Sequence, residues 1–292
     1  MSIFMLRFFK SLFFPLLFML LTGCGAIKLT YNNADSLLYW WLDGYIDFSV
    51  EQKIRVKNEL TSLHSWHRQT QLPIWTEMTR NLQAQVANEV TGTQLCAQWD
   101  QAKERLLPPL NTYLEPQVLW LVTQLTADQI KSIEEKYEKT NEKWLNEWQP
   151  ETKRELIKNT KKVIRERTDS LYGALENEQR KWLLEMIRTS PFDSKIDYAE
   201  RLRRQQDMVS TLKDIQVRKL SVEATRESMR ALMQRSFVSP DSNYRTYAER
   251  LKQHNCLLYA KLHNSMNAEQ RKHALSKLKD YERDFKTLQA QK

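Results

Sequence analysis

Glycine is scarce in this chain, and this scarcity constrains the fold more than any other feature of the sequence. The 292 residues include 5 glycines, whereas average usage of roughly 7% would give about 20. Hairpin turns and phosphate-binding loops depend on glycine because they need positive φ or a close backbone approach. Hydrophobic residues make up 41% of the chain, which is enough for a large core and unlike a disordered protein. The sequence therefore predicts an all-α fold.

The first residues have the pattern of a secretory signal. Arg7 and Lys10 supply positive charge around the start of an apolar run that ends near residue 21. The run is too short to span a bilayer core, which takes about 20 residues. It ends in Leu21-Thr22-Gly23-Cys24. This tetrapeptide resembles the lipobox of bacterial lipoproteins, in which the cysteine becomes the new N-terminus.

The lipobox resemblance implies a cleaved signal peptide over residues 1–23 and a lipidated cysteine at Cys24, with thioether-linked diacylglycerol and an N-linked chain such as palmitate. One acyl chain holds a protein on a membrane only marginally, whereas several chains anchor it durably. In such lipoproteins an aspartate after the cysteine signals retention in the inner membrane, and here that residue is Gly25. The resemblance thus implies an outer-membrane lipoprotein that faces the periplasm.

Beyond the leader, apolar residues recur at helical spacing between prolines. One such stripe is Ile130, Ile133, Tyr137, Trp144, Leu145 and Trp148, which is typical of an amphipathic helix. The prolines are predicted to separate the helices, and three of them suit the first turn of the next helix: Pro150, Pro191 and Pro240. We predict a lipidated tether over residues 24–33 and a single helical periplasmic domain over 34–292, folded as an irregular, elongated multi-helix bundle.

One five-residue block occurs twice within this domain. The sequence Tyr-Ala-Glu-Arg-Leu lies at 198–202 and again at 247–251, each time shortly after a Ser-Pro pair. A repeated helix start favours a duplicated helical unit. With two copies, a chance match is the alternative.

Four segments share a second pattern, in which a bulky apolar residue and a polar residue are followed three positions later by glutamine. They are 48–52, 125–129, 175–179 and 266–270. The second, Leu125-Thr126-Ala127-Asp128-Gln129, matches the Leu-Thr-x-x-Gln signature of Spy/CpxP-type periplasmic chaperones and stress sensors. The other three depart from that signature at one or both of its first two positions. Two interpretations are open: shared ancestry with those chaperones, or capping boxes that only begin helices.

Residues spread along the whole chain carry a further resemblance. They are the lipobox, Tyr31-Asn32, the segment 35–43 with its Tyr39-Trp40-Trp41-Leu42 run, Gln52, and Glu269-Gln270-Arg271 with Leu278 and Tyr281. Together they resemble an uncharacterised family of Gram-negative outer-membrane lipoproteins. That family has no assigned activity, so the resemblance implies a location and leaves the function open.

A basic stripe is the clearest charged feature of the sequence. We call the following five residues the basic face: Arg154, Lys158, Lys161, Lys162 and Arg165. Their spacing places them on one side of a helix, and only Glu155 and Glu166 oppose them within 153–167. In the periplasm the expected partners are anionic lipid, lipopolysaccharide phosphates or acidic protein segments, and no nucleic acid. The alternative is a solvated face without a partner.

Residues with catalytic or metal-binding chemistry are few. Cys96 and Cys256 allow either a disulfide or two buried free thiols. His64 and His67 could share a metal, but helix-surface positions beside Trp66 are the better explanation. The sequence has no HExxH, GxSxG or P-loop motif, and its acidic residues alternate with basic ones as solvated ion pairs do. We predict no enzyme activity, no cofactor and no metal site.

These features favour a binding protein over an enzyme. The predicted role is a non-catalytic, lipid-anchored periplasmic protein that binds an envelope component, as a chaperone or stress adaptor. One alternative is a structural scaffold or assembly factor of an envelope complex. Another is a cell-wall hydrolase, which would need a cleft with convergent carboxylates.

Overall fold

The computed structural model describes residues 24–150 and 152–291, apart from the side chains of residues 24–26 and 153. Its helical content is 86%, and the described residues contain no β-strand. The predicted all-α, multi-helix bundle is therefore confirmed. The predicted signal peptide over 1–23 lies outside the described residues. Within the described part of the chain, no helix combines the length and apolar character needed to cross a bilayer.

The helices are numbered here in chain order. The first six are α1 (Cys24–Asn32), α2 (Ala34–Ile46), α3 (Val50–Trp66), α4 (Leu72–Gln85), α5 (Gly92–Thr123) and α6 (Ala127–Trp148). The next six are α7 (Lys153–Tyr172), α8 (Asn177–Arg188), α9 (Ser194–Arg218), α10 (Val222–Phe237), α11 (Ser242–Asn264) and α12 (Ala268–Ala290). A π-helical turn over His67–Gln71 joins α3 to α4.

The four glutamine motifs begin four of these helices, as the capping interpretation predicts. The backbone N–H of the capping residue donates to the glutamine Oε1 at 2.8–3.1 Å in α3, α6, α8 and α12. In three of them the capping side chain also accepts from the glutamine N–H, as Ser49, Thr126 and Asn267 do. The motifs therefore satisfy backbone donors that a helix start leaves without partners.

Only some of the prolines separate helices as predicted: Pro150, Pro191 and Pro240 lie between helices. Pro108, Pro109 and Pro116 lie inside α5, which continues through them, so their assignment as helix ends is wrong. The three prolines between helices, expected in first helical turns, instead lie one or two residues before the N-caps. The α5 helix loses backbone hydrogen bonds at its prolines, and packing of its buried face against neighbouring helices offsets that loss.

Pro73 accounts for the π-helical turn between α3 and α4. A proline ring clashes with the carbonyl four residues earlier, which here is that of Gln69. The chain widens before this proline, and the Leu72 N–H donates to the His67 carbonyl five residues back. Turns of this kind reorient the side chains that they carry, and this one buries His67 and Gln71.

The largest hydrophobic cluster is shared by α2, α3, α5, α6, α9 and α10. The apolar stripe predicted on α6 is largely buried, and four of its side chains are at most 6% exposed: Ile130, Ile133, Trp144 and Trp148. Further clusters join α12 to α1, α4 and α7, and join α8 to α11. The bundle thus brings helices from both ends of the chain into contact.

Residues 24–33, predicted as a tether, form α1 and the residue that follows it. Ile27 and Tyr31 are 2% and 3% exposed and pack against α4 and α12. The Lys28 Nζ lies 3.4 Å from Oδ1 of Asp284, whose side chain is fully buried. The folded body therefore begins within a few residues of the predicted lipidation site.

The two copies of the repeated block lie near the starts of α9 and α11. Asp193 and Asp241 cap these helices through their side chains. Tyr247 is 2% exposed, and its Oη donates to the Asp193 carbonyl at 3.2 Å. Tyr198 stacks instead on Trp144, with 5.3 Å between ring centroids. The copies share a way of starting a helix and have different surroundings.

Candidate functional site

The α7 helix carries the basic face that the sequence predicts. Its start is capped by Thr152, whose Oγ1 accepts a hydrogen bond from the Glu155 N–H at 3.2 Å. Its end is Gly173, where φ is 78°, a conformation that glycine adopts at little cost. Of the five side chains of the basic face, Lys161 is half-buried. The other four are exposed: Arg154, Lys158, Lys162 and Arg165.

Two members of the basic face pair with acidic residues of the same helix. The Lys162 Nζ is 3.9 Å from Glu166, and the Arg165 Nε is 3.0 Å from Asp169. Exposed pairs of this spacing contribute only a few tenths of a kcal/mol. The other three members, Arg154, Lys158 and Lys161, have no ion-pair partner among the described residues. The basic face therefore keeps a positive potential.

The inner side of α7 lines a largely apolar cavity of about 340 Å³, which we call the α7 cavity. Its wall comes from α7, α8, α11, the N-terminal part of α5 and the end of α6. Representative lining residues are Leu95, Trp99, Val163, Ile164, Met186 and Leu258. The cavity and the basic face thus lie on two sides of one helix.

Two polar groups in the wall of the α7 cavity distinguish it from a packing void. Arg167 lines this cavity and also a second one of about 280 Å³, and the described residues provide it with no ion pair. The Trp99 Nε1 is buried and has no hydrogen-bond partner among the residues that the structure describes. Lys252, by contrast, pairs with Asp100 and Glu249 at 3.1 and 3.2 Å. An apolar cavity with a free cation and a free N–H suits a ligand that combines hydrocarbon surface with negative charge.

Arg167 is a candidate binding residue that the sequence analysis missed. It lies two positions after Arg165, the last residue of the basic face, and on the side of α7 that the apolar stripe occupies. A basic residue within an apolar stripe is the signal that could have identified it. Which cavity it lines depends on where the neighbouring helices pack, and the local sequence does not contain that information.

The two cysteines beyond the lipobox are joined in the structure. The Cys96 and Cys256 sulfur atoms are 2.04 Å apart, and this disulfide connects α5 to α11 beside the α7 cavity. The helices approach closely there: a Cβ added to Gly92 would lie 3.1 Å from the Leu257 backbone. Glycine suits this position because an added Cβ would require the two helices to shift by a few tenths of an ångström.

The four motif glutamines meet in two pairs. In the first pair, Gln52 and Gln129 donate to each other's Oε1 at 3.2 and 2.5 Å. In the second, Gln179 and Gln270 do the same at 2.9 Å in both directions. All four side chains are buried. The pairs join the N-terminus of α3 to that of α6, and the N-terminus of α8 to that of α12.

Each glutamine in a pair also bonds to the backbone that precedes its partner's helix. The Gln52 and Gln129 Nε2 groups donate to the carbonyls of Gln124 and Asp47, both at 3.1 Å. The second pair donates in the same way to the carbonyls of Ser265 and Ala174. The sequence indicates the capping boxes, but their pairing depends on contacts between distant residues.

The histidines differ from the prediction of helix-surface positions. His67 is 7% exposed, and its Nδ1 lies 3.0 Å from the Tyr31 Oη. The His64 ring packs on the Tyr31 ring with 4.8 Å between centroids. Burial lowers the pKa of His67 to about 3. The surface interpretation is wrong for His67 because α1 covers it. Among the described residues, no group of three or more His, Cys, Asp or Glu could hold a metal ion.

Two carboxylates of α9, those of Glu200 and Asp207, belong to ion pairs. Glu200 accepts hydrogen bonds from Arg203 and Arg204 at 2.7–2.9 Å. Burial acts to raise the pKa of Glu200, but the two arginines outweigh it and the net pKa is lowered. Hydrogen bonds from Arg235 lower the pKa of Asp207. A carboxyl that acts as a general acid at neutral pH needs a raised pKa, so these two groups do not suit that task.

A known protein family matches most of the helices of this bundle. The model of DUF6279, a family of unknown function, matches residues 44–245, from the end of α2 into α11. The chain belongs to this family. No curated protein and no solved structure matches it.

The DUF6279 match includes the basic face, the Gln52–Gln129 pair and Arg167. It leaves out α1 and α12, and therefore Gln270, as well as Cys256 at the other end of the disulfide. The prediction that the chain belongs to an uncharacterised family is confirmed. The lipoprotein assignment and the similarity to Spy/CpxP-type chaperones stay predictions.

Proposed function

We propose that this protein is a non-catalytic, lipid-anchored periplasmic protein that binds an acidic, amphiphilic segment of another envelope protein, as a chaperone or stress adaptor does. One observation carries the proposal: among the described residues, three cations on the outer side of α7 have no ion-pair partner, and Arg167, which lines the apolar cavity on its inner side, has none either. A partner with both carboxylates and apolar side chains would use both sides of this helix.

The two sides of α7 would contribute differently to binding. Carboxylates of the partner would be attracted by Arg154, Lys158 and Lys161, which speeds association and selects acidic segments. An apolar side chain of the partner would enter the α7 cavity, and full burial of one large side chain contributes about 1.5–3 kcal/mol. The cavity volume of about 340 Å³ accommodates such a side chain.

The link to Spy/CpxP-type chaperones in this proposal is the sequence match of one glutamine motif to their Leu-Thr-x-x-Gln signature. The Gln52–Gln129 pair contains this full pattern, and its amides are buried and hydrogen-bonded. Their role in this chain is structural, because groups that bond to each other are not free to bind a client. The sequence match therefore concerns the scaffold, and the binding chemistry rests on α7.

The proposed location is the periplasmic face of the outer membrane, with Cys24 as the anchor. Exposed large apolar side chains are concentrated shortly after this cysteine, with Leu29 and Trp40 both 68% exposed and Leu37, Val50 and Ile54 also exposed. Tryptophan and apolar residues suit a membrane interface. This distribution supports an arrangement in which the start of the folded body lies against the bilayer.

A charge-reversal experiment tests the proposed function. The variant carries Arg154→Glu, Lys158→Glu and Lys161→Glu. The control carries Lys139→Glu, Lys195→Glu and Lys279→Glu, which makes the same charge change at exposed positions away from α7. We expect the first variant to lose its ability to slow the aggregation of unfolded acidic envelope proteins, while the control keeps it. Equal activity in both variants would contradict the proposal, as would a wild-type protein without such activity.

A further inference from the structure

A separate apolar cavity lies between α2, α3 and α5 and shares no lining residue with the α7 cavity. Its volume is about 240 Å³, and we call it the α2–α5 cavity. The wall is almost entirely hydrocarbon. Its apolar lining includes Leu38, Trp41, Leu60, Leu63, Leu114 and Leu121.

Three polar atoms in the residues that line the α2–α5 cavity have no hydrogen-bond partner within the described part of the chain. They are the Nε2 atoms of His64 and His67 and the Oε1 atom of Gln117. A buried polar atom without a partner is destabilising, and native proteins rarely leave one so. His67 is 7% exposed, so bulk water has little access to it. These atoms indicate a ligand with a hydrogen-bonding group.

One ring nitrogen of His67 is occupied by Tyr31. The His67 Nδ1 and the Tyr31 Oη are 3.0 Å apart and share one hydrogen bond. Burial lowers the pKa of His67 and keeps the ring neutral, so one of its two nitrogens carries a proton and the other accepts. When the Tyr31 O–H donates to Nδ1, the proton lies on Nε2 and His67 offers a donor on its free side.

Charge and size restrict the ligand further. Glu59 also lines the cavity, paired with Arg55 at 3.6 Å, and the lining contains no lysine or arginine. An anionic headgroup would therefore meet a carboxylate and no cation. In another protein an engineered cavity of about 150 Å³ binds benzene, which scales to roughly ten heavy atoms for this volume.

We propose that the α2–α5 cavity binds an uncharged, largely hydrocarbon molecule that carries one hydroxyl or amide group. The hydrocarbon part packs on the leucines and Trp41. The polar group accepts a hydrogen bond from the His67 Nε2 and donates one to the Gln117 Oε1. This site uses different residues from the proposed function, so either assignment can fail without the other.

Photolabelling of the full-length chain in membranes tests the site. The probe is a diazirine analogue of 1-octanol, and unlabelled 1-octanol is the competitor. We expect saturable adducts on the peptides of α2, α3 and α5 that line the cavity. Leu114→Trp, which fills the cavity, reduces these adducts about tenfold. Leu202→Trp, at a position that is 41% exposed on α9, leaves them unchanged. Reversal of the basic face also leaves them unchanged.

A second variant tests the polar contact without filling the cavity. Gln117→Leu removes the acceptor while keeping the size of the side chain, and a lost hydrogen bond corresponds to about tenfold in affinity. We expect 1-octanol to compete about tenfold less well in this variant, and octane to compete as before. Labelling that is not saturable, or that persists in Leu114→Trp, would overturn the proposal. So would equal competition by the alcohol and the alkane in the wild-type protein.

Discussion

At the scale of single residues, the helix starts are organised by buried amides. Each motif glutamine accepts from its own capping residue and exchanges hydrogen bonds with its partner glutamine. When all of its hydrogen bonds are made, a buried amide pair contributes little more to stability than an apolar pair of the same shape. When one member is lost, its partner is left buried with unsatisfied polar atoms, and the protein is destabilised. The two pairs therefore act as units, each of which fixes the relative position of two helices.

The Gln52–Gln129 pair gives the first prediction. Gln129→Ala removes both hydrogen bonds between the two amides and also the bonds to the Asp47 carbonyl and the Thr126 N–H, so the free energy of unfolding should fall by about 3 kcal/mol. The control Gln253→Ala changes an exposed glutamine and should cost less than about 0.5 kcal/mol. Urea denaturation measures both values.

A double variant checks whether the two amides act as a unit. Gln52→Ala together with Gln129→Ala should cost clearly less than the sum of the two single changes. Additive costs would show that the pair has no coupling of its own.

His67 gives a prediction about pH. Its pKa is about 3 in the folded protein and about 6.5 in an unfolded chain, so the unfolded state binds the additional proton. The contribution to stability is therefore complete above pH 6.5 and is lost as the pH falls from there toward 3, at up to about 1.4 kcal/mol per pH unit. Between pH 6.5 and 5, His67→Gln should reduce the slope of the unfolding free energy against pH by up to about 1.4 kcal/mol per pH unit, which corresponds to the binding of one proton.

The control for this pH prediction is His273→Gln, which changes an exposed histidine. Burial also lowers the pKa values of His64, His254 and His263. In the wild-type protein these three histidines therefore add to the slope of unfolding free energy against pH, with the same sign as His67. A slope that is identical in the wild-type protein and in His67→Gln would refute the buried neutral ring.

At the scale of helices, local signals and long-range contacts differ in how well a sequence predicts them. The capping boxes follow from residues three positions apart, and their prediction is confirmed. The proline assignment is wrong because tertiary packing carries α5 through Pro108, Pro109 and Pro116. The burial of His67, the glutamine pairs and the position of Arg167 depend on helices that are distant along the chain. No local pattern contains that information.

The contact between α1 and α12 gives a prediction at this scale. Asp284 is fully buried, and Lys28 is its ion-pair partner. Lys28→Met leaves the carboxylate without a cation and should lower the free energy of unfolding by about 3 kcal/mol. Lys28→Met with Asp284→Leu should recover most of that loss, because an apolar pair replaces a buried ionic one.

Lys286→Met is the matched control for the α1 contact. Lys286 is 54% exposed and pairs with Glu282 on the surface of α12, so its removal should cost less than about 1 kcal/mol. Urea denaturation compares the three variants. An equal cost for Lys28→Met and Lys286→Met would mean that α1 does not depend on its ion pair.

The disulfide gives a second prediction at the scale of helices. Cys96 and Cys256 close a loop with a sequence separation of 160, for which the chain-entropy model gives about 5 kcal/mol. Replacing both cysteines by serine should lower the free energy of unfolding by about 2–5 kcal/mol. Dithiothreitol should lower the stability of the wild-type protein by a similar amount and leave the serine variant unchanged. A wild-type protein that is insensitive to the reductant would show that the bond is absent or contributes nothing.

At the scale of the whole molecule, the bundle combines the proposed lipid anchor at Cys24 with the basic face of α7. The α1 helix packs into the body directly after Cys24, so a lipid there would hold the protein close to a bilayer instead of on a long tether. The exposed apolar residues near this end and the unpaired cations of α7 are separate features. The protein could therefore contact a membrane with one surface and a partner with another.

The most direct test of the proposed binding surface is photocrosslinking in living cells. A photoreactive amino acid is placed at Lys158, Lys161 or Arg165 on α7, and at the exposed control positions Lys195 and Lys279. We predict one dominant envelope-protein adduct from the α7 positions, whose crosslinked peptide is acidic and apolar, and which disappears when Arg167 is replaced by leucine. The same adducts from the control positions, or no adduct from α7, would contradict the account.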